Sequence, residues 1–202
     1  ASWTYASELV FQEAIPIPEL DWFGVPFLHT DIDRNAGRAE GRTICPLGWL
    51  ETNVVQFLDP DHIWHDPTGR TFHLLARAYT GGTGYAALAK VTEHDDGSMT
   101  TSIETAPSGR RVAFLPWPGG QMKFYVLYDE VSSLYWLLSS QATDSMTRPD
   151  RLEEARFDLP NNERHRLQLH FSRNCVDWLF AGIVDVGASP KESRHYASMV
   201  VD

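Results

Sequence analysis

Cysteine is scarce: Cys45 and Cys175 are the only two in 202 residues, too few for a disulfide framework. Cys175 falls in a turn-rich stretch and Cys45 sits beside Pro46, so both are expected as free thiols and neither sets the compartment. Apolar runs are short, and none approaches the ~20 residues with which a helix crosses a bilayer. A secretory leader is not visible, although the chain opens on Ala1 rather than Met and a leader upstream is compatible with that start. Positive charge is sparse as well. Lys and Arg total 17 against 27 Asp and Glu, a net charge of -10, which argues against a phosphate-binding surface and hence against nucleic acid as a partner. A sustained helical period is missing too, apart from one turn's worth around Leu152 and Ala155.

Aromatic residues, in contrast, are plentiful: 12% of the chain, with seven Trp and seven Tyr. Aromatic side chains favour strands, and they also stack on sugar faces. The clearest strand pattern is 166–171, where polar and apolar residues alternate with period two. Ser172, Arg173 and Asn174 supply a turn, residues 178–184 read as the returning strand, and after a polar crossing a fresh strand is expected at 194–201. Two outer strands, a crossing and a new inner strand is how one propeller blade hands over to the next.

The same rhythm recurs upstream. Strands are expected at 48–57, 59–66, 71–79, 85–91 and 98–104, divided by the turn signals Asp66-Pro67-Thr68-Gly69 and His94-Asp95-Asp96-Gly97. A further set falls at 122–128 and 134–140, joined to 166–171 and 178–184 across an Asp-, Arg-, Pro- and Asn-rich insertion, 141–163. Four short antiparallel strands in about 45 residues is the span of one blade. Ser2-Trp3-Thr4-Tyr5-Ala6 also repeats the pattern of Asp177-Trp178-Leu179-Phe180-Ala181. The expectation is an all-β chain, an incomplete β-propeller of four-stranded antiparallel blades with about three to four blades' worth of chain. It divides into an irregular first part (1–58), a blade (59–108), a second blade (113–187) and the first strand of another (193–202). In the first part, the polar loop 31–38 is long enough to overhang a site or to be a decorating insertion.

The handover at 172–199, the opening Asp59-Pro60-Asp61-His62 and the paired turns at 95–97 and 172–174 carry a family likeness. With them the chain resembles the sialidase-like and glycosyl-hydrolase-like β-propellers of bacterial secreted or carbohydrate-active proteins. Ser172-x-Asn174-x-x-x-Trp178 is similar to the Asp-box turn of sialidase blades, shorter by one residue, and an Asp-Pro at the head of an inner strand is similar to the five-bladed glycosidases. The resemblance implies a secreted or periplasmic carbohydrate-active protein, a glycoside hydrolase of the sialidase-like superfamily, without a cofactor. The Phe/Tyr-Arg-Ile-Pro signature of sialidases is absent; Arg42-Thr43-Ile44-Cys45-Pro46 departs from it by an extra residue.

Propeller sites form where inner strands converge on the axis. On this blade assignment the heads of those strands are Asp59 to His62, Gly120 to Lys123 and Ser193 to Tyr196. Glycoside hydrolysis ordinarily needs two carboxyl groups, and the candidates are Asp61, then Asp59, with Glu51 from the preceding strand. Substrate-binding candidates are His62, Trp117, Gln121, Lys123, Arg194, His195 and Tyr196. Asp59 is equally a turn residue before Pro60 and Arg194 equally an ion-pair residue, while for Tyr196 inner-strand packing is the favoured alternative. His62, His65 and Asp66 are a weak metal motif, because residues three apart on a strand face opposite sides; no metal is expected. Alternatives to hydrolysis are glycan recognition without catalysis and a rim that binds protein.

Overall fold

The computed structural model describes residues 4–14, 20–21, 49–77, 84–142, 153, 163–189 and 191–201. Among these the chain is all-β except for one helical turn, α1 (Phe11–Ala14). The strands are β1 (Leu20–Asp21), β2 (Leu50–Val55), β3 (Thr71–Arg77), β4 (Tyr85–Glu93), β5 (Met99–Ser102), β6 (Glu104–Thr105), β7 (Arg111–Val112), β8 (Phe114–Pro116), β9 (Phe124–Asp129), β10 (Leu134–Ser140), β11 (Arg166–Ser172) and β12 (Leu179–Val186). Two antiparallel four-strand meanders dominate, β2-β3-β4-β5 and β9-β10-β11-β12, with β8 lying against the first residues of β4. A small sheet, β1-β7-β6, completes the pairing. Each meander has the strand order of a propeller blade, and the two among the described residues are fewer than the four that begin a closed ring. The fold class is the one the strand rhythm predicts.

Local chemistry explains the hairpins. Asp66 accepts the backbone N–H of Thr68 at 2.9 Å and the hydroxyls of Thr68 and Thr71 at 2.7 and 2.8 Å. These bonds hold its carboxyl down to about 2, and Gly69 takes the left-handed φ of 71° that closes the turn. Ser172 Oγ accepts the N–H groups of Asn174 and Cys175, while Asn174 Oδ1 accepts those of Val176 and Asp177. The segment likened to an Asp-box is therefore a self-capped turn that sends Trp178 onto Trp117, ring centres 4.7 Å apart.

Two expected strands are not formed. Residues 59–66 are a run of turns, and the innermost strand of the first blade is β2. Asp59 explains this: its Oδ1 accepts Asp61 N–H at 3.0 Å and its carbonyl accepts His62 N–H, curling the chain before a strand can extend. Residues 194–201 also pair with no strand. Arg194 N–H bonds Arg164 O instead, tying this segment back to the second blade. The loop 31–38, the Arg42–Cys45–Pro46 stretch and most of the insertion lie outside the described residues.

The main core fills the space between the blades. Val55, Phe57, Leu75, Leu88, Leu115 and Trp117 meet Phe124, Val126, Tyr135, Leu137 and the free thiol of Cys175, all buried; burial pushes that thiol well up. A second cluster of Ala14, Ala76, Tyr85, Ala87, Ile103 and Phe114 covers the other face of the first blade. Inside that blade His73 donates Nε2–H to Glu104 Oε2 at 2.6 Å, and Lys90 donates to Glu104 Oε1 at 2.9 Å. Burial pushes the Glu104 carboxyl up, but the hydrogen bonds from His73, Thr105 N–H and Lys90 together outweigh it and hold it low.

Asn53 joins the inner strands. Its Nδ2 donates to Phe124 O at 3.2 Å and its Oδ1 accepts Val126 N–H at 3.3 Å, so one buried amide completes the edges of β2 and β9. At the other end Tyr135 donates its hydroxyl to Gln56 O at 2.5 Å. Tyr135 pairs with Tyr128 near the end of β9, so β2 and β9 run side by side in one direction.

Replacing Asn53 with Leu leaves two buried backbone groups unpartnered and is expected to destabilise the chain by about 2–4 kcal/mol, read from urea midpoints at unchanged slope. Acid provides a second test. A depressed folded-state carboxyl lends stability that is present above the unfolded value, about 4.3, and lost as pH falls through the lower folded value. Wild type should lose stability over that window, and Glu104→Gln, measured by the same urea titration at each pH, should flatten the loss.

Candidate functional site

The parallel run of β2 and β9 divides the site candidates between two ends. Glu51, at the start of β2, shares its end with Lys123 before β9, with Arg77 at the close of β3 and with Arg164 before β11. Asp59, Asp61 and His62 follow the far end of β2, where His62 donates Nε2–H to Asn174 O at 3.0 Å. Six strand residues separate the two ends by about 20 Å. The structure therefore does not bring Asp61, Lys123 and Arg194 around one hub. Asp59 and Asp61 are exposed. His62 stacks on Phe57 at 3.9 Å and its Nδ1 accepts Trp64 N–H; burial lowers its pKa and fixes it neutral. His65 donates Nδ1–H to Phe57 O at 2.7 Å. Among the described residues no three His, Cys, Asp or Glu stand together as metal ligands.

Arg194 is held at the outer edge of the second blade, with Nε on Asp185 at 2.5 Å and Nη2 on Glu192 at 3.6 Å. Its charge is committed to this ion-pair network. Trp117 is 1% exposed and belongs to the interblade core rather than to an open loop. Gln121 is fully buried, and Lys123 is half-buried.

Glu51, His195 and Tyr196 do come together, with two arginines that sequence reasoning passed over. The pairing of β2 with β3 slips between Leu50 and Asn53, a bulge in which Glu51 adopts φ of 51°. A non-glycine residue in that region is held there by its surroundings and often marks a functional position. The bulge presents the Glu51 carboxylate to two donors. Arg77 Nη1 reaches Oε2 at 3.4 Å, and the Tyr196 hydroxyl donates to Oε1. That hydrogen bond, before any other influence, raises the Tyr196 phenol. Tyr196 also has a positive φ, 61°.

His195 lies edge-on to Tyr196, ring centres 4.5 Å apart. Arg164 donates Nη1–H to His195 Nε2 at 3.2 Å. A guanidinium only donates, so Nε2 carries no proton and Nδ1–H faces Ser193 Oγ. Burial lowers the imidazole, and the Arg164 cation lowers it further. Arg164 Nε is shut from solvent without a partner among the described residues. The cluster thus holds one carboxylate, one phenol, two guanidinium groups and a neutral imidazole. Arg77 and Arg164 were detectable in the sequence only as charges flanking strand ends, and that signal has meaning once strand direction is known.

No protein-family model matches the chain, and no curated protein matches it. Two solved structures of exo-β-1,3-galactanase from Phanerochaete chrysosporium are similar, one of a single-residue variant with β-1,3-galactotriose and one with galactose. They align with 74% and 73% of this chain at 9% and 10% identity, each with a TM-score of 0.31. The chain covers 28% of the length of each.

The cluster makes a signed prediction for His195. In an NMR pH titration it should titrate below the ordinary 6.5. Arg164→Gln removes a cation and should raise it, whereas Glu51→Gln removes an anion and should lower it further.

Proposed function

We propose that this protein is carbohydrate-active, a glycoside hydrolase taking an anionic sugar such as a sialoside at the Glu51 cluster. The observation that carries the reading is the Glu51–Tyr196 hydrogen bond beside Arg77 and Arg164, the latter with a desolvated Nε–H that has no partner among the described residues. Guanidinium groups bind carboxylates with two parallel bonds, so Arg77 and Arg164 supply the recognition of a sugar acid. Glycosidases ordinarily use two carboxyl groups, but a tyrosine nucleophile is the known departure in sialidases.

The chemistry follows from the raised phenol. Tyr196 stays protonated at rest and needs a base as it attacks. Its Oη bonds to the anomeric carbon, the glycosidic C–O bond breaks with its electron pair leaving on the aglycone oxygen, which takes a proton from solvent, and Glu51 takes the phenolic proton. Once Glu51 has released that proton to solvent, water adds to the anomeric carbon as the C–Oη bond breaks, and Glu51 passes a proton of the water to the departing Tyr196 phenolate. Neutral His195 positions Arg164 by accepting its Nη1–H. Glycan binding without cleavage is the second reading, favoured by the single carboxylate that these contacts bring to the cluster.

Aryl glycosides isolate the step, because their leaving groups depart without protonation. Wild type is expected to cleave an aryl sialoside. Tyr196→Phe and Glu51→Gln should each lose about 10²-fold or more in kcat with unchanged circular dichroism. Asp61→Asn, at the opposite end, decides between the two ends of the blade: retained cleavage supports the Glu51 cluster, and loss moves the chemistry to the 59–62 turn. Glycan-array binding without cleavage supports the second reading; neither binding nor cleavage overturns both.

A further inference from the structure

A second cleft lies between the blades. The connection from β8 to β9 presses close against its neighbours: a Cβ on Gly119 would meet Ser139 at 2.6 Å, and one on Gly120 would meet the Tyr85 backbone at 2.6 Å. Only glycine fits there, and beside it the buried Trp117 lines a cleft of about 430 Å³, a volume ordinary for small-molecule sites. Across the cleft stand Gln168 and His170 from β11 and Trp178 from the self-capped turn. Gln168 is fixed by donating Nε2 to Ser139 Oγ at 3.2 Å. Phe180 packs edge-on to His170.

Two features of this lining point to a ligand. First, three of its side chains each carry a ring nitrogen without a partner among the described residues: Trp117 Nε1, Trp178 Nε1 and His170 Nδ1. Trp117 and His170 are more than nine-tenths buried. Unpartnered buried polar groups are uncommon in folded proteins and call for a ligand, a water or a functional reason. Second, among the described residues no acidic or basic side chain lines the cleft, and burial lowers the His170 pKa, which favours its neutral ring. An uncharged lining with indole donors, an imidazole and aromatic edges suits a neutral polyhydroxylated ligand and penalises an ionised one, whose charge would find no partner.

We infer that the cleft between Trp117, Gln168, His170 and Trp178 binds a neutral sugar unit, independently of the Glu51 cluster. The indole N–H groups donate to ligand hydroxyls, and Trp178 supplies the half-exposed aromatic wall.

Methyl β-galactoside and galacturonate serve as neutral and charged probes, titrated into the full chain while the indole N–H signals are followed by NMR. The Trp117 and Trp178 signals are assigned from Trp117→Phe and Trp178→Phe. The expected result is a saturable shift of both signals with the neutral glycoside and at least about tenfold weaker binding of galacturonate. Ala142→Trp, which adds bulk to the rim of the cleft without removing a core group, should abolish the shift. Glu51→Gln should leave it unchanged, so that failure here and failure of the hydrolase reading are told apart. No shift with the neutral probe, a shift that survives Ala142→Trp, or equal binding of both probes overturns the site; a water satisfying the ring nitrogens would produce the first of these.

Discussion

A single buried amide sets the geometry of this protein. Two antiparallel meanders meet with their innermost strands side by side, and among the described residues each of those strands is the edge of its meander. Asn53 answers both at once, donating to Phe124 O and accepting from Val126 N–H. A side chain doing the work of a strand fixes direction as well as distance, because its donor and acceptor match groups two residues apart on β9. The aromatic and aliphatic core between the blades then closes around that register.

The same residue bears on the chemistry. Asn53 Nδ2 also reaches Glu51 O at 3.5 Å, immediately beyond the bulge that turns the Glu51 carboxylate toward Arg77 and Tyr196. Glu51 sits at positive φ without glycine's freedom, a conformation that persists only where surrounding contacts over-determine it. The anchors at hand are the Asn53 amide on one side and the Arg77 and Tyr196 contacts on the other. Stability of the blade pair and geometry of the cluster are thus coupled through adjacent residues of one strand.

Charge is distributed unevenly between the two ends. At the Glu51 end, arginines and a neutral histidine face one carboxylate, an arrangement that favours an anion. At the other end Asp59 curls its own turn and His62 is spent on backbone partners. The interblade cleft differs from both: among the described residues its ring nitrogens lack partners and its lining carries no formal charge. The burial that keeps His170 neutral also excludes the counter-charge an ionised ligand would need.

Period-two alternation at 166–171, the Asp66–Gly69 and Asp96–Gly97 turns and the absence of a helical period settle strand class from sequence, because side-chain alternation and turn chemistry are local. The second blade's four strands fall within two residues of their expected places for that reason. Local pattern misjudges 59–66, where the side chain of Asp59 captures a backbone N–H and makes turns of apolar-looking chain. It equally misjudges 194–201, where the first backbone N–H, that of Arg194, is taken by Arg164 O. Glu51, His195 and Tyr196 are recognisable as candidates from sequence, but Arg77 and Arg164 are not, and neither is the separation of Asp61 from the others. Those facts depend on which ends of which strands share a face. Only the packing of one blade on the other, through Asn53 and the core behind it, decides that, since the residues involved are up to 145 positions apart in the chain.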